Sequence, residues 1–321
     1  MNNDYFISVD WGTTNLRVRL VRRSTLQVEE EISSPVGIKS VFEEWCKTDK
    51  NREDFFFSVL DKEISLFQSE IEPKTEVIIS GMASSTIGIK ALPYATFPFK
   101  TDGSNVHSER IHSDATPFPC LLISGLSSDR DVMRGEETQL IGLVESSDNQ
   151  HSTLYILPGT HSKHILCNQG MVINIETFMT GELFEVVSKH SMLRSSIQEG
   201  QFGDAEWRAF EDGVCQAYNE VPFSKALFSI RTNALFHQKT EVENYYYLSG
   251  LIIGEELTSL KKQSFEKIKL CAGEKLSNLY FRALTLMHLS SKIDVVHHAL
   301  VNHAVIKGHS IIMKNRTIKN S

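Results

Sequence analysis

The segment Tyr5-Phe-Ile-Ser-Val-Asp-Trp-Gly-Thr-Thr-Asn-Leu-Arg-Val-Arg-Leu20 is an apolar run, a polar turn and a return. The run carries the chain to Asp10, the turn takes Gly12, Thr13, Thr14 and Asn15, and an alternating strand follows from Leu16. Two strands meeting at Gly-Thr-Thr make a β-hairpin whose tip exposes backbone N–H groups and two hydroxyls. Such a tip can hold phosphate oxygens, and a carboxylate beside it can hold the Mg²⁺ that accompanies them. An ordinary hairpin with a polar turn is the plainer account of the same residues. The chain has neither the GxxxxGK[ST] loop nor a well-placed GxGxxG, so a phosphate site here is of another type.

The rest of the chain bounds the setting. Its 321 residues are enough for two domains, each with its own core. A net charge of −7 gives no basic footprint and argues against nucleic acid as a partner. The cysteines Cys46, Cys120, Cys167, Cys215 and Cys271 lie far apart and never form CxxC, which argues against a disulfide framework or zinc site. No apolar run approaches the roughly 20 residues that span a bilayer, and the chain enters a strand without a signal-like core. A soluble protein of the reducing cytoplasm, with no membrane partner, is expected.

Along the first half, Gln27 to Ile32 reads as a further strand, and Val41 to Ile71 has helical spacing in places. Glu76-Val-Ile-Ile-Ser80 is a short buried strand of α/β type. It opens into the small, polar loop Gly81 to Gly88 and then Leu92-Pro93-Tyr94, at the strand end where α/β sheets usually bind ligands. Residues 101–115 are polar and irregular, and a surface excursion is expected there. Pro119 to Leu126 is another apolar run. The charged stretch from Asp129 to Leu140 reads as a helix start after that strand, where acids also offset the helix dipole.

The second half begins as the first did. Thr153 to Leu157 is a strand, Pro158-Gly-Thr-His-Ser-Lys163 a Gly-Thr turn, and His164 to Cys167 a return. The boundary is expected within Ser146–Ser152, giving domains 1–148 and 149–321, with the last helix free to return to the first domain. An amphipathic helix is expected through Leu183, Val186, Val187 and His190, with His190 packed on it. Phe228-Ser-Ile-Arg-Thr-Asn233 looks strand-like, and Leu248 to Leu257 is a buried helix whose Gly250 and Gly254 permit close packing. Ile268 to Cys271 is a strand that runs into the turn Ala272-Gly273. The histidines 297, 298, 303 and 309 match no zinc spacing. Two Gly-Thr tips on duplicated domains are expected to face each other across a cleft and hold a triphosphate with Mg²⁺. That suits a two-lobed ATP-dependent kinase, in which positioning and charge neutralisation do most of the catalysis.

Six motifs carry a resemblance: Asp10-Trp-Gly-Thr-Thr-Asn-Leu-Arg17, Met133-Arg-Gly-Glu-Glu-Thr-Gln-Leu140, Leu157-Pro-Gly-Thr-His-Ser-Lys163, Met179-Thr-Gly-Glu-Leu183, Phe228-Ser-Ile-Arg-Thr232 and Ser249-Gly-Leu-Ile-Ile-Gly254. In this order they closely resemble the 2-dehydro-3-deoxygalactonokinase family, of the sugar kinase, actin and heat-shock chaperone superfamily. The resemblance implies an α/β chain of two ribonuclease-H-like domains, each with a mixed five-stranded sheet. It implies that ATP and 2-dehydro-3-deoxy-D-galactonate give the 6-phosphate, in galactonate breakdown.

By the same resemblance Asp10 holds Mg²⁺, and Gly12, Thr13, Thr14 and Asn15 form the first phosphate motif. Gly159, Thr160 and His161 match the second phosphate motif; Ala272 and Gly273 match the adenosine motif, where the family usually has two glycines. Gly135-Glu136 occupies the place where related kinases have Gly-Asp, so Glu136 is the expected base and Asp131 the second choice. Glu137 then pairs with Arg134 or caps the helix. Ser85, Thr86 and Tyr94 match the loop expected on the sugar acid, and Arg231 or Lys163 could face its carboxylate. Three departures stand out: Ile89 replaces a usual Trp and bears on the identity of the acid, the run Asp294–His303 lacks the family's acidic, small-residue pattern, and a basic, frayed tail is expected after Gly308. A kinase for another keto-sugar acid or sugar, or an ATP-switched actin-like protein without an acceptor, are the rivals. A homodimer is the candidate assembly.

Overall fold

In β1 (Tyr5–Trp11) both faces are apolar, since Phe6, Ile7, Val9 and Trp11 are all fully buried. A strand buried on both faces belongs at a sheet centre. There β1 pairs antiparallel with β2 (Leu16–Arg22) and parallel with β4 (Glu76–Gly81). β3 (Val28–Ser34) alternates half-buried and exposed residues and takes the outer, antiparallel place beside β2. Between β3 and β4 run α1 (Ile38–Trp45) and α2 (Arg52–Ile64), whose Val41, Phe56, Phe57 and Leu60 cover Val9, Trp11, Val18 and Ile79 in one core. After β4 come β5 (Ala95–Thr96), β6 (Phe99–Lys100), β7 (Ser108–Ile111), β8 (Cys120–Ile123), β9 (Leu126–Ser127), β10 (Val132–Met133) and α3 (Glu136–Leu143). The sheet order is β3-β2-β1-β4-β8-β7, and β5, β9 and β10 form a small second sheet.

Next follow β11 (Thr153–Leu157), β12 (Ser162–Asn168), β13 (Met171–Phe178), α4 (Thr180–Glu185), α5 (Asp204–Tyr218), α6 (Phe223–Leu235) and α7 (Glu241–Thr258). β14 (Lys267–Leu270), α8 (Glu274–Leu286), β15 (Ile293–Val295) and α9 (His298–Lys319) complete the chain order. The computed structural model describes residues 4–319, with side chains to Arg316. It divides into unit 1, residues 1–146, 170–173 and 299–321, and unit 2, residues 147–169 and 174–298. In unit 1, Met171 and Val172 pair with Lys100 and Phe99 of β6. Unit 2 has the strand order β15-β14-β11-β12-β13, with β11 antiparallel to β12 and parallel to β14.

The two orders correspond strand for strand. β3-β2-β1-β4-β8 of unit 1 is repeated as β13-β12-β11-β14-β15 of unit 2, the five-stranded arrangement of a ribonuclease-H-like domain. Each unit opens with a hairpin at the same place in its sheet, so the two Gly-Thr turns are equivalent by topology.

Several local expectations are corrected. Unit 1 carries a sixth strand, because Ser108–Ile111, inside the expected surface excursion, lies antiparallel on β8 with Ile111 buried. Phe228–Asn233 is part of helix α6: Ala226, Ile230 and Asn233 are buried at helical spacing, while Phe228 is 53% exposed. The helix through Leu183 ends at Glu185 and widens into a π-turn, Val186–His190, in which His190 is exposed. The chain beyond Gly308 is helical to Lys319, and residues 320–321 lie outside the described region. This helix buries His309, Ile312 and Met313 in unit 1, and its Arg316 donates to the Ser108 carbonyl at 2.6 Å. α9 also packs closely on α3: a Cβ at Gly142 would lie 1.8 Å from the Ala304 carbonyl oxygen, and one at Gly308 2.1 Å from that of Thr138. Among the described residues no helix is long and apolar enough to cross a membrane.

Candidate active site

Asp10 sits near the end of β1, with Arg17 of β2 and Ser80 of β4 as its register neighbours. Its carboxylate makes no hydrogen bond to a described residue, and it opens on a pocket of about 600 Å³ lined by Gly12, Thr14, Asn15, Arg17 and Ser34. Burial pushes the Asp10 carboxyl above its ordinary value, and Arg19 and then Arg17 pull it back. The Ser80 hydroxyl beside it is buried with no partner. A half-buried carboxylate with nearby hydroxyl oxygens is a donor set for a hard cation that keeps its water, and Mg²⁺ fits it. The turn itself is held from outside: Gly12 and Thr13 carbonyls accept from the first N–H groups of α1, on Ile38 and Lys39. Gly12 also donates to the Asn15 carbonyl at 2.9 Å, which leaves the Thr13 and Thr14 side chains exposed at the tip.

Two glycines with positive φ bring the next segments to the same corner of unit 1. Gly81, at φ +88°, lies so close to β1 that a Cβ would meet the Trp11 carbonyl oxygen at 2.7 Å. Gly135, at φ +107°, leaves only 3.3 Å between its own Cβ position and the Gly81 Cα. The start of α3 therefore rests on the end of β4, beside the end of β1. Glu136 is half-buried there and accepts the Arg134 backbone N–H at 2.9 Å. Glu137 is 1% exposed and accepts from the Gly135 N–H at 2.7 Å and the Thr138 hydroxyl at 2.9 Å. Burial, and then the Glu136 charge, push the Glu137 carboxyl up to about 7. Asp131 lies before β10, where its carboxylate accepts the Val132 N–H at 2.7 Å and its backbone N–H donates to the Ser128 hydroxyl at 2.9 Å.

Of the two roles open to Glu137, the structure gives it the cap. Arg134 turns instead to the loop after β4. Its Nη1 donates to both the carbonyl and the hydroxyl oxygen of Ser84 at 2.6 Å, and its guanidinium lies 4.2 Å over the Tyr94 ring. Ser85, 6% exposed, has a buried hydroxyl without a partner. Thr86 is exposed and accepts from Arg52 through its carbonyl at 3.0 Å. Ile89 is fully buried in the unit 1 core.

In unit 2 the second turn rests on a buried polar network. Gly159 donates to the Ser162 hydroxyl at 3.3 Å, and the Thr160 carbonyl accepts the Glu182 N–H at 3.1 Å. Gly181, in the first turn of α4, lies so near that a Cβ would meet the Gly159 carbonyl oxygen at 2.7 Å. His161 Nε2 is 2.5 Å from Glu182 Oε2. Beneath the turn the Ser162 and Tyr280 hydroxyls are 3.0 Å apart, and Tyr280 donates to Glu256 at 2.6 Å. Glu256 also accepts from Thr180 and from His164 Nε2, the latter at 2.8 Å. Ala272 is buried at the end of β14, and Gly273 is the exposed N-cap of α8, where a Cβ would meet nothing within 4 Å. Lys163 is 5% exposed and donates to the Thr177 hydroxyl at 2.7 Å, while Arg231 lies on α6 with its Nη1 3.5 Å from the Ser196 hydroxyl.

Unit 1 thus brings Asp10, the Gly12–Asn15 turn, Glu136 and the Ser85–Tyr94 loop onto one set of strand ends. Residues 10–308 match the family described as 2-keto-3-deoxy-galactonokinase. The chain belongs to this family. It is 28% identical to the 2-dehydro-3-deoxygalactonokinase of Escherichia coli strain K12 over 291 residues, covering 88% of this chain and 90% of that one. It is 30% identical to a Rhizobium meliloti protein named probable 2-dehydro-3-deoxygalactonokinase DgoK1, over 87% of this chain and 89% of the other. A solved structure from Sinorhizobium meliloti, which bears the 2-dehydro-3-deoxygalactonokinase name provisionally, superposes with a TM-score of 0.80 at 28% identity, over 97% and 96% of the two chains.

Sequence reasoning missed Arg134, Glu256 and Tyr280. Arg134 stands among four acids and looked like their ion-pair partner. For Glu256 a signal existed, an acid inside the apolar run Leu248–Leu257, because a buried acid needs donors. Tyr280 carried no local signal, since its partners come from β12 and α7.

Proposed function

We propose that the chain is an ATP-dependent kinase that transfers the γ-phosphoryl group to the 6-hydroxyl of 2-dehydro-3-deoxy-D-galactonate, the 2-keto-3-deoxy acid of the family name. The observation that carries this reading is the family match over residues 10–308 together with the repeated Gly-Thr hairpin at equivalent places in the two units. Residues 1–148 with the last helix, and residues 149–321 without it, act as its two domains.

In this reading Asp10 holds Mg²⁺, which when bound neutralises phosphate charge. Gly12, Thr13, Thr14 and Asn15 donate to phosphate oxygens, and Gly159, Thr160 and His161 do the same from unit 2. Ala272 and Gly273 face the adenosine, where the bare N-cap gives backbone access. Ser85, Thr86 and Tyr94 line the sugar acid. Glu136 takes the proton from the 6-hydroxyl as its oxygen bonds to the γ-phosphorus and ADP leaves. Asp131 is the second choice, but its carboxylate already accepts the Val132 N–H. The half-buried position of Glu136, beside the Glu137 cap, supports the first assignment.

The test is coupled ATP consumption with Mg²⁺ on 2-dehydro-3-deoxy-D-galactonate, its gluconate epimer and several hexoses. Turnover on the galactonate compound is expected, with a loss of roughly 10²–10⁴ in a folded Glu136→Gln variant. Turnover on a different acid would move the substrate and keep the kinase. ATP binding without turnover on any acceptor would sink the enzyme.

A further inference from the structure

Of the partly or fully buried arginines of unit 1, Arg19, Arg22 and Arg23 have carboxylate partners among the described residues, whereas Arg52, Arg134 and Arg316 do not; Arg52 donates to the Thr86 carbonyl and Arg316 to that of Ser108. Arg19 meets Glu31 at 2.7 Å and Arg23 meets Glu76 at 3.5 Å. Arg134 is half-buried, and no carboxylate oxygen of a described residue lies within 4.0 Å of it. The nearby acids are turned to the backbone, Glu136 to the Arg134 N–H and Glu137 to the Gly135 N–H. A cation withdrawn from water without a counter-charge is costly, so an arriving anion would be favoured there.

The guanidinium is also fixed in plane and in rotation. Ser84 takes Nη1 through two oxygens, and the Tyr94 ring supports one face. Nε and Nη2, the edge that makes side-on bidentate pairs, donate to no described residue. A planar fork held this way matches a carboxylate. One residue along the loop, the Ser85 hydroxyl is more than nine-tenths buried and has no partner. Ser84, Ser85 and Tyr94 belong to the loop after β4, and Arg134 lies against it, whereas Lys163 and Arg231 have hydroxyl partners in unit 2.

We propose that Arg134 binds the C1 carboxylate of the acceptor, with the Ser85 hydroxyl as an additional donor, and so sets the preference for sugar acids over neutral sugars. This rests on reading the chain as a sugar-acid kinase.

Steady-state kinetics with the sugar acid and with its uncharged carboxamide test the proposal in wild type, Arg134→Gln and Arg134→Lys. Arg134→Gln is expected to raise the KM for the acid about 10–100-fold, to leave the KM for ATP within about twofold, and to abolish the preference for acid over amide. Arg134→Lys, which keeps the charge and loses the fork, is expected to recover part of that preference. An unchanged KM for the acid, or a rise in the KM for ATP in its place, overturns the proposal. Phenylglyoxal labelling of Arg134 in the wild-type protein, read by peptide mass spectrometry, needs no variant. The sugar acid is expected to protect Arg134 and Mg·ATP alone is not; equal protection by Mg·ATP overturns the assignment. Wild-type turnover on neutral sugars and on no acid defeats both this inference and the substrate reading. Acid turnover that is indifferent to Arg134 defeats the inference alone.

Discussion

The Tyr280 hydroxyl donates to the Glu256 carboxylate across 2.6 Å, and both side chains are buried. Burial, and then the Glu256 charge, hold the Tyr280 phenol well above its ordinary value, so it stays a donor. Its other neighbour is the Ser162 hydroxyl, which accepts from the Gly159 N–H in the second turn. Tyr280→Phe removes one donor from a buried carboxylate and strands the Ser162 hydroxyl, at a cost of about 1–3 kcal/mol. The expected result is lower stability in urea, a several-fold higher KM for ATP and an unchanged KM for the sugar acid. Loss of stability with no change in the KM for ATP would reduce the network to a structural one.

Gly159 and Gly273 form a contrasting pair with Gly181. A Cβ at either of the first two would meet no protein atom within 4 Å, so Gly159→Ala and Gly273→Ala should change stability by no more than about 0.5 kcal/mol. If nucleotide approaches the backbone there, both variants lose ATP affinity in a titration. Gly181→Ala should instead displace the Gly159–Thr160 turn through backbone contact at 2.7 Å and lose affinity and stability together. Full ATP affinity in Gly159→Ala would move the nucleotide away from that turn.

The pH dependence of stability has a defined sign at Glu137. Its carboxyl titrates near 7 in the folded protein against 4.5 ordinarily. Between these values the folded protein keeps a proton that the unfolded chain has released. Its contribution is therefore complete below about pH 4.5 and is lost as pH rises through about 7, a span of about 3 kcal/mol. Urea unfolding of wild type and Glu137→Gln at pH 5 and pH 8 isolates this group. The variant should lack the loss between those pH values that wild type shows; an equal loss in both would assign the effect elsewhere.

Close packing of α3 and α9 leaves no room for side chains at Gly142 and Gly308. Gly308→Val should destabilise the protein by more than about 3 kcal/mol through forced helix separation. A chemical denaturation curve checks it, and a shift under about 1 kcal/mol would mean that the helices part easily.

The legible parts of this protein were those whose signal is local. The strands flanking Asp10 and Pro158 alternate or run apolar, and each stops at a Gly-Thr turn, so the repeat was readable without a partner in view. Phe228–Asn233 misled because Phe and Ile two apart imitate a strand, while the helical spacing of Ala226, Ile230 and Asn233 holds the burial. α9 misled for another reason: its buried face includes His309 and Ser310, which look like solvent-facing residues in sequence. His309 is buried against Ser8, its Nδ1 2.8 Å from the Ser8 hydroxyl, and only the fold brings residues so distant in sequence together. At the candidate site, Asp10 and Glu136 are proposed from the motifs that carry the family resemblance, and both lie at the strand ends of unit 1. The placement of Arg134 against Ser84 and Tyr94 was hidden, because the acids beside it in sequence suggest ion pairs, whereas Glu136 and Glu137 accept backbone N–H groups.

The split of unit 1 along the chain has a consequence for synthesis. The strand that carries Asp10 is translated first, yet its neighbour Ser8 meets His309, and the α3 glycine meets Ala304, only when α9 has been made. Every residue of unit 2 exists by then. Domains fold as units during translation, so unit 2 can settle on the ribosome while the older segment waits unfinished. A nascent chain that stalls or is cleaved before α9 carries every assigned phosphate-binding residue but not the helix that completes their first scaffold. Without α9 such a fragment leaves Ser8 without His309 and exposes the face of α3 around Gly142.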